Sequence, residues 1–166
     1  MFFSKKFKTF YNINHCFFSK NRGVSEGIYS SLNCGLGSAD KKENVLQNLE
    51  LVSKKMGINP QDLLTMNQTH SNKVVVIDSN NKHIQRFNSD ALITNQKNIA
   101  ISVLTADCVP ILIYDEVNHI IGSIHAGWKG AINGIVENTL NEIVKISRNN
   151  KINVAIGPCI GMSNYE

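Results

Sequence analysis

Five short apolar runs, at residues 74–77, 91–94, 99–104, 111–114 and 120–124, follow one another with polar turns between them. Each is rich in Val and Ile and too short for an ordinary helix, so each is expected to be a strand. Several carry no polar alternation, which predicts strands covered on both faces. The cover has to come from the helical patterns that flank them. Upstream, Val45, Leu49, Val52 and Met56 recur at helical spacing, Asp40 and Glu43 have capping-box spacing, and Gly57 ends the run. Asn59 followed by Pro60 predicts a further helical turn through Leu64. Downstream, a helix is expected from Gly130, with Ile132, Ile135, Val136, Thr139, Leu140, Ile143 and Val144 on its inner side, followed by a strand at residues 152–156. The expected fold class is α/β, a mixed β-sheet with flanking helices.

At 166 residues a single domain is expected. Hydrophobic residues make up 42% and charged residues 18%, enough apolar material to drive folding. The net charge of +4 is concentrated near the start, in Lys5, Lys6, Lys8, Lys20 and Arg22. Residues 1–21 are therefore read as a solvated basic arm with a first strand region, and residues 22–166 as the domain proper. No basic stripe interleaved with aromatics runs through the rest, so no nucleic-acid partner is expected. There is no stretch of roughly 18 apolar residues and no signal-peptide core, so no membrane association is expected and the location is read as cytoplasmic. Cys16, Cys34, Cys108 and Cys159 form no CxxC pair, which argues against a disulfide scaffold and a zinc ribbon.

Residues 22–40 are dense in Gly, Ser and Asn and read as a turn-rich loop whose polar atoms can line a ligand site. His70 ends NQTH just before a strand, Cys108 lies in TADC between two strands, and His125 ends the run IIGSIH. One Cys and two His supply the three protein donors of a catalytic zinc site with its fourth position open. Their separations match no compact metal motif, and lone residues of these types are more often structural, so spacing leaves both readings open. His15, His83 and His119 fall in arm, polar loop and turn. Asp107 is a candidate general base or a support for a ligand histidine, with a turn-capping carboxylate as the alternative. Gly127 and Gly130 bracket Trp128 and Lys129 before a helix, where backbone amides and the Lys charge suit an anion such as phosphate. Cys159, in GPCIG, falls in a turn after a strand and is either a reactive thiol or, as the preferred reading, part of an inert turn.

Taken in order, RGVSEGIYSSLNCGLGSAD, NQTHSNKVVVID, SDALIT, ISVLTADCVPILIYD, IGSIHAGWKGAINGIVENTL and VAIGPCIGMSNYE resemble the multicopper polyphenol oxidoreductase or laccase-domain family. This family is also called the YfiH or peptidoglycan editing factor family and is related to the human purine enzyme FAMIN. The resemblance implies a YfiH-like fold and zinc held by His70, Cys108 and His125. It also implies phosphorolysis of adenosine, inosine and methylthioadenosine and deamination of adenosine, with a purine nucleoside and phosphate as partners. Asp107 and Cys108 are then the expected catalytic residues, and Asn33, Gln68 and Lys129 the expected substrate contacts. Copper-dependent phenol oxidation is discounted, because five His and four Cys cannot readily furnish several copper sites. A metal-free cysteine hydrolase built on Cys108, an editing factor for peptidoglycan precursors and a binding partner without turnover are the competing expectations. Family members usually continue past the closing NYE, which predicts a missing C-terminal part. RGVS lacks a glycine the family more often has.

Overall fold

The computed structural model describes residues 1–147 and 151–165. The chain divides into two compact units, Met1–Leu63 and Leu64–Glu166.

In the first unit the basic arm is folded, because its lysines are interleaved with phenylalanines. Phe2 and Phe17 form an antiparallel bridge, and Phe7 is buried with its ring edge-on to His15 at 5.2 Å between centroids. His15 Nε2 accepts the Ser4 N–H at 2.9 Å, while burial and then the Lys8 charge push its pKa below the usual value. Helix α1 spans Lys42–Met56 and ends at Gly57, whose φ of 74° is the left-handed cap expected there. The expected capping box does not form. Lys41 is the N-cap, and Asp40 instead accepts hydrogen bonds from the Ser25 hydroxyl at 2.6 Å and the Asn33 amide at 3.0 Å.

The inner face of α1 carries two buried polar residues that periodicity does not single out, Ser53, whose hydroxyl donates to the Leu49 carbonyl of the same helix at 2.9 Å, and Asn48. Asn48 is 0% exposed, accepts the Val24 N–H at 2.9 Å, and donates to Ser25 Oγ at 2.9 Å and the Asn33 carbonyl at 2.8 Å. It thereby fastens the Gly- and Ser-rich loop to the helix. Asn48→Ala leaves those buried groups unpaired and is expected to lower unfolding stability by about 2–3 kcal/mol, read from urea denaturation. A change below about 0.5 kcal/mol would show that the loop holds without it.

Between the helix and the second unit, the expected helical turn is a short 3-10 turn, Pro60–Asp62, followed by strand β1, Leu63–Met66. The other strands are β2 Val74–Ile77, β3 Arg86–Phe87, β4 Ala91–Thr94, β5 Ala100–Ile101, β6 Val109–Asp115, β7 Ile120–Ala126 and β8 Asn153–Ile156. They form a three-stranded sheet, β3-β1-β5, and a mixed five-stranded sheet, β2-β4-β7-β6-β8. Downstream, Asn133 and Gly134, with φ of 80° at the glycine, break the expected single helix into α2, Trp128–Ile132, and α3, Ile135–Ser147. The break turns Ile132 outward, 79% exposed, and Val144 is exposed too; Ile135, Thr139 and Ile143 form the inner face.

Strand β4 is buried along its whole length because each face has its own cover. Ala91 and Ile93 join Ile111, Ile113, Ile124, Ile135 and Ile143 in one cluster with α3, whereas Leu92 joins Leu64, Met66, Ile77 and Phe87 beneath the small sheet. The result is the mixed α/β architecture expected. Among the described residues no helix is long and apolar enough to cross a membrane.

Candidate metal centre

Strand direction explains why residues far apart in sequence meet. β2 runs parallel to β4, β4 antiparallel to β7, and β7 antiparallel to β6. The starts of β2, β4 and β6 and the end of β7 therefore lie at one end of the sheet. His70 sits in the loop before β2 and Asp90 directly before β4. Cys108 directly precedes β6, and His125 is the penultimate residue of β7. The β6–β7 register, Val109 opposite Ala126 and Pro110 opposite His125, brings Cys108 beside His125.

The donor atoms of His70, Cys108 and His125 all lie within 4.8 Å of one another, and among the described residues this is the group of three or more His, Cys, Asp or Glu that can hold a metal ion. The two imidazoles meet edge to face at 4.8 Å between centroids. His125 is 3% exposed, and His70 and Cys108 reach solvent in part. Zinc bonds of about 2.0–2.3 Å to one tetrahedral ion set donors roughly 3.3–3.7 Å apart, so small rotations of the two more open side chains suffice. The donor set fits such an ion.

Two glycines of HAGWKG have a steric reason to be there. A Cβ on Gly127 would lie 2.3 Å from His70 Nδ1, so the imidazole stacks where a side chain would otherwise be. A Cβ on Gly130 would lie 2.8 Å from the backbone oxygen of Ser71, which lets α2 pack against the His70 loop.

Asp90, which has no counterpart among the sequence expectations, is fully buried at the centre of this region. Its Oδ1 lies 2.8 Å from His125 Nδ1 and accepts the His70 N–H at 3.1 Å; its Oδ2 accepts the Ser71 N–H at 2.8 Å and hydroxyl at 2.6 Å, and the Thr69 N–H at 3.2 Å. Burial pushes this carboxyl's pKa up, but the bonds from Ser71, His125 and Thr69 outweigh it and hold the pKa below the usual carboxylate range. Cys108 is pushed the other way. Burial first, and then the charges of Asp107 and Asp90, raise its pKa. A nucleophilic cysteine needs surroundings that lower its pKa, whereas the carboxylates that raise it here favour a cation.

The other expected site residues are placed as follows. Asp107 is exposed on the loop that carries Cys108, and its carbonyl accepts the Ile160 N–H at 3.0 Å, tying GPCIG to that loop. Gln68 donates to the Leu104 carbonyl at 2.7 Å and accepts the Leu104 N–H at 2.8 Å, clamping the His70 loop to the chain leading to Cys108. Lys129 is exposed on α2 with its Nζ 5.3 Å from the centroid of the Trp128 ring, itself 55% exposed. Asn33 belongs to the first unit, where its amide donates to Ser38 and Asp40 and accepts the Gly35 N–H.

A family model described as multi-copper polyphenol oxidoreductase laccase matches residues 14–166. The chain belongs to this laccase family. Relatives named purine nucleoside phosphorylase include one from Bacteroides thetaiotaomicron, 34% identical over 93% of this chain and 61% of its own length. Another, from Rickettsia prowazekii, is 35% identical over 96% of this chain and 58% of its own length. Among solved structures, a Bacillus licheniformis hypothetical protein, YfiH, superposes with a TM-score of 0.82 at 30% identity, over 88% of this chain and 58% of that one. The chain thus spans about three-fifths of the length of these family members.

The four thiols differ in setting. Burial pushes Cys34 up to about 11, whereas Cys159 is exposed. Alkylation with a small reagent near pH 8 is expected to label Cys159 first and Cys34 last, since the thiolate is the reacting form. Peptide mapping of a time course checks the order, and early labelling of Cys34 would contradict its burial.

Proposed function

We propose that this chain works as a zinc-dependent purine nucleoside enzyme that phosphorolyses adenosine, inosine and methylthioadenosine and deaminates adenosine at the same centre. The observation that carries the reading is the convergence of one Cys and two His at a single sheet end, in a chain whose relatives are named purine nucleoside phosphorylase. Among the described residues this cluster offers coordination for one ion, whereas multicopper oxidation needs several. His70, Cys108 and His125 would hold a zinc ion, which when bound would supply Lewis acidity toward an oxygen of substrate or water.

Around that centre the chain's own groups have separate tasks. The exposed carboxylate of Asp107, next to Cys108 in sequence, accepts a proton from the attacking oxygen and returns it to the departing nitrogen. Lys129 contributes positive charge for phosphate, beside the broad face of Trp128. Gln68 acts on the substrate region through Leu104, by fixing the approach of the Cys108 loop.

Incubation of the zinc-loaded protein with adenosine, with and without phosphate, tests the reading. Adenine formed only with phosphate marks phosphorolysis, and inosine formed in either condition marks deamination. No turnover in either would overturn it. Lys129→Ala is expected to raise the KM for phosphate about 10- to 100-fold, the worth of a hydrogen bond to a charged group, while deamination and zinc content stay near wild type. Equal loss of both activities would remove Lys129 from phosphate binding.

A further inference from the structure

We infer that Asp90 is the positioning residue of this centre: one buried carboxylate sets the tautomer of His125 and the backbone of the loop presenting His70, so that both imidazoles are ordered together. The inference rests on the zinc reading above for its purpose, although its geometry stands on its own. A carboxylate only accepts hydrogen bonds, so the His125 Nδ1 that lies 2.8 Å from Asp90 Oδ1 carries a proton, and in the neutral ring Nε2 then keeps its lone pair for an ion. The ring cannot easily slide, because the His125 N–H also donates to the Asp90 carbonyl at 2.8 Å. Side chain and backbone of the two residues are joined across β4 and β7.

The second half of the task is the loop. Thr69, His70 and Ser71 turn three successive N–H groups onto the same carboxylate, and the Ser71 hydroxyl adds a fourth donor. His70 adopts a φ of 57°, a left-handed conformation that costs a non-glycine residue about 1 kcal/mol or more. Charge-assisted bonds from three consecutive amides are strong enough to hold it. That conformation places the His70 ring against Gly127. Asp90 thus reaches one imidazole through its ring and the other through its backbone.

The direct test is nitrogen-15 NMR of the histidine rings in metal-free wild-type protein near pH 8, where His125 is expected as the Nδ1–H tautomer. Finding the Nε2–H tautomer would overturn the inference. Zinc affinity, read by competition with a chromophoric chelator, is expected to fall about 10- to 100-fold in Asp90→Asn, together with a changed tautomer ratio at His125. Ser71→Ala, which touches only the loop, should weaken zinc several-fold and leave the tautomer alone. Wild-type affinity in both variants would overturn the inference even if the zinc reading held. Wild-type protein that binds no zinc, yet shows the Nδ1–H tautomer, would instead overturn the zinc reading and leave the geometry of Asp90 standing. If Asp90→Asn fails to fold, the wild-type tautomer and Ser71→Ala decide the matter.

Discussion

Cys108→Ser is expected to leave the protein folded while removing nearly all zinc from it. The substitution changes one atom in a half-buried position just before β6, so packing is almost conserved. Its chemistry is not, because a serine hydroxyl stays protonated at neutral pH and is a poor zinc ligand beside a thiolate. The affinity should fall by more than the roughly 10- to 100-fold that altering a residue behind a ligand costs. Metal analysis after purification without chelator should find close to one zinc per wild-type chain and almost none in the variant, with nucleoside turnover lost in parallel. His70→Ala and His125→Ala should behave alike, since two donors cannot hold the open tetrahedron of three. Stoichiometric zinc retained in all three variants would place the metal elsewhere.

Gly127→Ala should do nearly as much damage without touching a donor. The backbone there, φ −70° and ψ 159°, suits any residue, so alanine brings no conformational strain of its own. What it brings is a methyl group 2.3 Å from Nδ1 and 2.8 Å from Cε1 of His70, and the ring has to leave. Zinc affinity is expected to drop about 100-fold or more, close to the loss in His70→Ala, while stability falls by no more than about 1–2 kcal/mol. A double-mutant cycle makes the cause visible. Once His70 is alanine, adding Gly127→Ala should cost little further, in affinity or in stability, because the two effects share one contact. Full affinity in Gly127→Ala, or additive losses in the pair, would show that the ring does not depend on the missing side chain.

Much of the second unit could be read from residue type alone. Runs of Val and Ile marked β2 and β4 at their observed limits, because a strand covered on both faces has to be apolar throughout. Limits were less legible where pairing, not composition, decides them. β6 and β7 take in Pro110, His125 and Ala126 because their partners lie opposite in the ladder, and β5 keeps only two residues of a six-residue apolar run. Leu63 and Leu64, the first half of β1, read as the end of a helical turn because Asn59 and Pro60 favour a turn entering one, and β3 is too short to show a pattern. Spacing did not reveal the centre; the family resemblance did. A local signal was nevertheless present, since a hairpin between the fourth and fifth apolar runs sets the residues flanking it side by side. Asp90 gave no such signal, because a carboxylate ahead of a strand reads as a turn and only the assembled sheet buries it.

The meeting of four strand ends also means that an ion held there would be tied to the order of folding. None of the three donors is a near neighbour of another along the chain, so the unfolded polypeptide offers only scattered groups, and an ion bound by all three would prefer the native state. By mass action, free zinc at about a hundred times its dissociation constant adds about 2.7 kcal/mol to the stability of the native state. Because the donors converge only when β2, β4, β6 and β7 are in register, an ion bound there would be captured late in folding and would report that the sheet has closed. A substitution at the far end of the sheet that lets these strands slip should then surface first as a loss of zinc rather than as a loss of helix.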